Sequence, residues 1–172
     1  QEHMIIDENT PKDAKNYYGL SHSINEDLLK IVKIKFGINF DIIRLTNSYG
    51  YPTLLSNDCW WLVVNDLCKS FVEHKKIALS LDGKSFRNFI HLDDVTKFIK
   101  ILLNKKKLSS EIYNLSSSET VQIKKIAKKI YNNSIDKKKI KIFINKNKIK
   151  KFKDLKFENP PFKISKKKIN NL

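Results

Sequence analysis

Apolar positions recur at helical spacing through Leu20, Ile24, Leu28 and Ile31, which predicts a helix from Tyr18 to about Phe36 that Gly37 stops. Residues 1–17 ahead of it are polar and read as loop, closing on Thr10-Pro11-Lys12-Asp13. The run Asn39–Leu45 has the look of a short buried strand, and Ser48-Tyr49-Gly50-Tyr51-Pro52 reads as the loop leaving its C-terminal end. A second helix with a wide apolar stripe is expected from Trp60 to about Glu73, its two tryptophans serving the core or a dimer helix. Ile77–Leu81 and Phe86–Leu92 predict strands joined by an Asp82-Gly83 turn. Asp93 is placed to cap a helix running to about Leu103.

The rest continues the alternation. Ile112–Leu115 predicts a strand, Val121–Tyr131 a helix and Lys139–Ile144 a last strand, while the Lys-rich stretch beyond Asn145, with Pro160-Pro161, shows no period and reads as irregular. No internal repeat is present. Strands alternating with helices make this an α/β chain. With four glycines in all, no Gly-x-Gly-x-x-Gly phosphate turn can be found.

Charge modifies this picture less than its size suggests. Lys and Arg number 34 against 18 Asp and Glu, a formal net charge of +16, which raises nucleic acid or an acidic membrane as partners. The distribution argues against both. Lysines are scattered, their runs (Lys105–Lys107, Lys137–Lys139, Lys166–Lys168) stand at the ends of apolar segments, and there are two arginines, Arg44 and Arg87. Nucleic-acid readers lean on arginine, whose planar fork pairs at two points with phosphate and guanine. Abundant Lys, Ile and Asn together read instead as compositional bias. At 41% apolar and 30% charged residues the balance is that of a globular chain rather than a disordered one. No apolar run approaches the roughly 20 residues of a membrane-spanning helix. The opening Gln1-Glu2-His3-Met4 has no signal-peptide character, and a chain starting on Gln is expected to be a piece of a longer one. Cys59 and Cys68, nine apart in a helical pattern, lie on roughly opposite faces and are not expected to bridge. Two lone thiols without metal-ligand spacing point to the reducing cytoplasm and to no metal site.

Candidate chemistry begins at Tyr18 and His22, four apart at a helix start and so on one face. A phenol is a weak acid, with a pKa near about 10. A cationic or hydrogen-bonding neighbour can stabilise phenolate and let it move protons as a general acid or base. By spacing alone, such a pair is more often an ordinary helix-surface pair.

The surrounding residues add a resemblance. Tyr17-Tyr18-Gly19-Leu20-Ser21-His22-Ser23-Ile24-Asn25-Glu26 resembles the Tyr-Gly-x-Ser-Lys-x-x-x-Glu segment of extended short-chain dehydrogenases/reductases. Arg44-Leu45-Thr46-Asn47-Ser48-Tyr49-Gly50-Tyr51-Pro52 is similar to that family's Arg-x-x-Asn-x-Tyr-Gly-Pro, with one residue inserted before the proline. Asp82–Val95, carrying Arg87-Asn88-Phe89-Ile90-His91, is similar to Gly-x-x-x-Arg-Asp-Phe-Ile-His-Val-x-Asp-Val. Glu111–Ser117 resembles the Tyr-Asn-Leu-Gly-Ser strand. Four motifs in order over about residues 7 to 131 are far more specific than any one.

The resemblance implies the C-terminal part of an NAD- or NADP-dependent nucleotide-sugar epimerase or dehydratase. Its fold would be the end of a Rossmann-type domain with the tyrosine helix over 1–58. A substrate-binding region over 59–172 would follow, interleaved with a late Rossmann strand at about 111–116. Tyr18 would be the catalytic tyrosine, exchanging a proton with the sugar hydroxyl. The family's lysine, which holds the nicotinamide ribose and favours phenolate, is His22 here, so Tyr18 and His22 would make both the catalytic and the cofactor contact. An imidazole is shorter than a lysine chain and mostly uncharged at neutral pH, so activity could be slowed, altered or lost. Asn47 and Arg87 fall on positions that bind the nucleoside-diphosphate sugar, Arg87 at its pyrophosphate, where a two-point donor is hard to replace by lysine. A structural salt bridge is the alternative for Arg87, and for Arg44 it has at least equal weight.

The family's Gly-rich loop, acidic ribose-binding residue and catalytic Ser/Thr precede the tyrosine motif. Ile164–Leu172 resembles its late Asp-x-Ser-Lys segment. The chain is thus expected to be a fragment at both ends, with two of seven Rossmann strands, completed by an N-terminal half and dimeric when complete. No nucleic-acid or membrane partner is expected. A catalytically impaired sugar-nucleotide-binding relative and a basic nucleic-acid-binding module are the competing expectations.

Overall fold

In the computed structural model, residues 4–79, 83–134, 141–144, 147–149, 158 and 160–171 are described. Strand β1 (Met4–Ile6) precedes helix α1 (Tyr17–Phe36), whose Asn16 cap accepts a hydrogen bond from the Gly19 N–H at 2.8 Å. The helix ends at Gly37, left-handed at φ 66°, whose N–H reaches the Lys33 carbonyl. Strands β2 (Ile42–Leu45) and β3 (Asn47–Tyr49) follow in quick succession, then α2 (Val63–His74) and β4 (Lys76–Leu79). Next come β5 (Phe86–His91), α3 (Leu92–Leu103), β6 (Ile112–Leu115), β7 (Thr120–Gln122) and α4 (Ile123–Asn132). The described remainder holds β8 (Lys141–Ile144), β9 (Asn147–Ile149), β10 (Phe162–Ile164) and the short α5 (Lys167–Asn170).

Parallel pairing dominates. β2 runs alongside β6 with Arg44 opposite Asn114, β3 alongside β5, β4 alongside β8, and β1 alongside β10. Two antiparallel pairs, β5 with β7 and β8 with β9, extend these units. The chain is therefore α/β, as its pattern predicts, and the adjacent, parallel β2 and β6 have the pairing expected of late strands in a Rossmann-type sheet.

Two apolar clusters hold most of the core. One joins α2, β4, α4 and β8 through Leu67, Ile77, Leu79, Ala127, Ile142 and Ile144. The other sets α3 against β5 and β6 through Ile90, Phe98, Leu102, Tyr113 and Leu115. Helix α1 joins neither: none of its residues is buried.

Several expectations need correction. The stretch read as leading loop contains β1, because Met4-Ile5-Ile6 finds its partner in Phe162–Ile164 near the other end of the chain. The same pairing gives order to part of the tail read as irregular. A strand that short has no period to detect and exists only through its distant neighbour. Ser48 and Tyr49, read as the start of a loop, belong to strand β3 for the same reason. The cap of α3 is His91 rather than Asp93: its Nδ1 accepts from the Asp93 N–H at 3.2 Å, leaving Asp93 and Asp94 in the first turn, where their charge suits the helix dipole. Trp61 is no core residue, being 72% exposed and donating to the Asp58 carbonyl. The Asp82 half of the predicted turn lies outside the described residues. Gly83 is left-handed at φ 64°, and a Cβ there would meet Leu79 Cδ1 at 2.9 Å. Cys59 and Cys68 are both free thiols, and burial pushes the Cys68 thiol pKa up.

Candidate active site

Two pairs of residues emerge, held by different elements. Tyr18 and His22 stand one turn apart at the start of α1, their rings edge to face with centroids 4.5 Å apart. Both are exposed, Tyr18 at 75%. His22 lines a cavity of about 310 Å³ between α1, the segment following β1, and the β2–β6 pair. Its walls include Asp7, Thr10, Glu26, Arg44 and Asn114. The Asn114 side chain is buried, and its Nδ2 has no hydrogen-bond acceptor among the described residues.

Asn47 and Arg87 occupy the three-stranded β3–β5–β7 sheet. The register sets Asn47 opposite Phe89, two residues on from Arg87, and Arg87 opposite Val121. Side chains alternate along a strand, so Asn47, Tyr49, Arg87, Phe89 and Val121 share one face. The Asn47 Nδ2 donates to the Asn88 carbonyl at 3.1 Å. Buried Asn88, on the opposite face, ties down the loop between β6 and β7. Its Oδ1 accepts from the Ser117 N–H at 2.9 Å, and its Nδ2 donates to the Ser117 and Glu119 carbonyls. Beside this face lies a cavity of about 570 Å³ lined by Tyr49, Phe89, Val121, Ser117, Glu119 and Lys129 among others. Asn47 and Arg87 flank it without lining it, and the His22 cavity takes neither of them. The chain thus brings Tyr18 and His22 into ring contact, sets Asn47 and Arg87 on one sheet face, and keeps the pairs on separate elements.

The two arginines have separate jobs. Arg44 is consumed by structure: Nε and Nη2 donate to the two Glu26 carboxylate oxygens at 2.9 and 2.8 Å, and Nη1 donates to the Glu8 carbonyl at 3.1 Å. The Arg44 hydrogen bonds hold the Glu26 carboxyl below the usual glutamate range, against the opposing effect of partial burial. Arg87 is exposed, and no carboxylate among the described residues pairs with it. Its Nη1 reaches the Phe86 carbonyl at 2.8 Å. Sequence reasoning leaves the same choice open for both, and the geometry separates them. The Glu26–Arg44 clamp is the element that reasoning misses, although both residues lie within the quoted motifs.

Cofactor fit can be tested on this chain's own donors. Tyr18 and His22 set a phenol ring edge to face with an imidazole, and both carry groups that could bond a ribose hydroxyl. Gly19, Gly37, Gly50 and Gly83 are too widely spaced for a pyrophosphate turn, so that contact would need residues from elsewhere. Among the described residues no His, Cys, Asp or Glu cluster could hold a metal ion, and no helix is long and apolar enough to cross a membrane.

Residues 1–116 match the model of the NAD dependent epimerase/dehydratase family. The chain belongs to that family. A dTDP-D-glucose 4,6-dehydratase of Dictyostelium discoideum is 27% identical over 123 residues, 70% of this chain and 26% of that protein. Among solved structures, the UDP-glucose 4-epimerase of Thermus thermophilus, in complex with NAD, superposes with a TM-score of 0.73 at 15% identity, covering 99% of this chain and 52% of that one. The dTDP-glucose 4,6-dehydratase of Bacillus anthracis, also with NAD, gives 0.70 at 19% identity over 99% and 50%. This epimerase/dehydratase chain therefore spans about half the length of the solved structures it resembles and 26% of the Dictyostelium protein.

Proposed function

We propose that this chain supplies the proton-transfer pair and the substrate-binding face of an NAD- or NADP-dependent enzyme that epimerises, dehydrates or reduces a sugar carried on a nucleoside diphosphate. The observation that carries this reading is the state of Arg87. In a chain that uses lysine for almost all its positive charge, one of two arginines stands exposed and without a carboxylate partner among the described residues, on the same sheet face as Asn47. A planar two-point donor left open in that way suits a diphosphate. Asn47 would hold the sugar nucleotide beside it.

Tyr18 would accept the proton of the sugar hydroxyl as that carbon becomes a carbonyl, and return it if the carbonyl is reduced again. Bound NAD or NADP would supply the hydride acceptor. His22, edge-on to the phenol, would hold a ribose hydroxyl and orient the Tyr18 oxygen. Because an imidazole replaces the family lysine, a weakly active or purely sugar-nucleotide-binding protein is the second reading.

An N-terminal half carrying the Gly-rich turn would complete the cofactor site and cover the apolar stripe of α1, in a cytoplasmic homodimer without nucleic-acid partners. The test is binding of nucleoside-diphosphate sugar to the full-length protein and its Arg87→Lys variant. Affinity should fall about 10-fold or more, the scale of a lost charge-assisted hydrogen bond, with NAD affinity unchanged. Unchanged sugar-nucleotide affinity would remove Arg87 from the site.

A further inference from the structure

Helix α1 carries Tyr18 and His22, yet none of its residues is buried, so packing within this chain does not fix its rotation about its own axis. The sheet reaches it through Arg44. The guanidinium leaves β2 and grips Glu26 at two points, 2.9 and 2.8 Å, with the Glu26 side chain 13% exposed. Glu26 lies one turn beyond His22 and two beyond Tyr18, on the face they share. A two-point contact between planar groups restrains orientation as well as distance. The clamp is braced at both ends. Arg44 Nη1 also donates to the Glu8 carbonyl, and the Glu8 carboxylate accepts from the Asn114 N–H on β6 at 2.8 Å. Lys12 Nζ bonds the Ser23 carbonyl and Asp27, both at 2.9 Å, and stands 3.9 Å from Glu26. One residue past β2, the same chain direction delivers Thr46 and then Asn47.

We infer that Arg44 is a positioning residue: through Glu26 it sets the rotation of α1, and so the aim of Tyr18 and His22, relative to the strand that leads into Asn47. The inference rests on the proposed proton transfer at Tyr18 for its catalytic consequence, and on the clamp geometry alone for its structural one. Arg44 touches no reacting atom, so its removal should disturb turnover while leaving sugar-nucleotide binding at Arg87 intact.

The experiment uses the full-length protein with Cys59 and Cys68 replaced by serine and spin labels on Asn25→Cys in α1 and Lys97→Cys in α3. Pulsed electron paramagnetic resonance then gives the distance distribution between the two helices, and steady-state kinetics on the unlabelled protein gives kcat and KM. Arg44→Gln should broaden the distribution and lower kcat by about 100-fold, the scale of an ångström-level misplacement, with KM for the nucleotide sugar within about twofold. The exchanged pair Glu26→Arg with Arg44→Glu should narrow the distribution again and recover at least about 10-fold of kcat, which loss of a merely stabilising contact would not produce. A narrow distribution with unchanged kcat in Arg44→Gln would overturn the inference, as would an exchanged pair that restores neither quantity. If the parent protein shows no turnover but Arg44→Gln broadens the distribution and the exchange reverses it, the clamp stands and the proposed activity falls.

Discussion

Helix α1 and helix α4 differ in what their apolar faces touch. Along α4, Ala127 is fully buried and even Lys124 is 97% covered, because β4, β8 and α2 close over that side. Along α1, Leu20, Ile24, Leu28 and Ile31 remain about half exposed, at 48 to 54%. An amphipathic stripe of that length ordinarily faces a core. In α4 the partner is in this chain; for α1 the proposed N-terminal half or a second copy would supply it. The proposed substrate face is therefore built on a core that this chain supplies, while the proposed proton-transfer pair stands on a helix held by ion pairs at its sheet side. The two halves of the chemistry should respond differently to mutation.

The sharpest separation is expected at Tyr18. Tyr18→Phe removes one exposed hydroxyl, so in the full-length protein it should lower kcat by about 10²- to 10⁴-fold, the range for a lost general acid or base, without moving the melting temperature. His22→Lys should keep or raise activity near neutral pH, since a fixed cation favours phenolate. Normal turnover in Tyr18→Phe would refute the assignment.

Next in size is a contrast in stability. Ile77→Ala, at a position with no exposure, should cost about 2 to 5 kcal/mol. Ile24→Ala, on the half-exposed stripe, should stay within about 0.5 kcal/mol in the isolated chain and cost more in the full-length protein. Denaturant melts of both variants in both settings check this. Equal costs for Ile24→Ala in the two settings would show that nothing covers α1.

The smallest expected effect is pH-dependent. Glu26 titrates below the usual carboxylate range because Arg44 bonds its charged form. Its folded pKa is thus lower than its unfolded one, and the clamp's contribution is present above the unfolded value and lost as pH falls through the folded one. Melting curves of the chain and of Glu26→Gln should differ by at most about 1 kcal/mol near neutrality, given solvent screening. They should converge as pH drops below the ordinary glutamate range. A gap that widens in acid would contradict the sign.

The elements with a period of their own were legible in the sequence: α1, α2, α3, α4 and the apolar strands β2, β5 and β6 stand close to where the pattern puts them. β1, β3 and β10 were not, since three-residue strands are defined by partners far away in the chain. The motifs point to Tyr18, His22, Asn47 and Arg87 as residue types in order, but cannot say which arginine is already spent. That depends on whether Glu26 reaches Arg44, a distance no spacing encodes. His91 as a cap was hidden for a similar reason, because Asp93 is the commoner capping residue and only the Nδ1 geometry decides between them.

On the proposed reading, this chain holds the substrate and proton-transfer part of a cofactor site whose pyrophosphate cradle lies elsewhere. Calorimetric titration of the 172-residue chain with NAD and with NADP, alone and then mixed with a cofactor-binding half carrying the Gly-rich turn, tests it most directly. The expected result is no saturable heat from the chain alone and a saturable isotherm from the mixture. A stoichiometric, micromolar isotherm from the chain alone would contradict the claim.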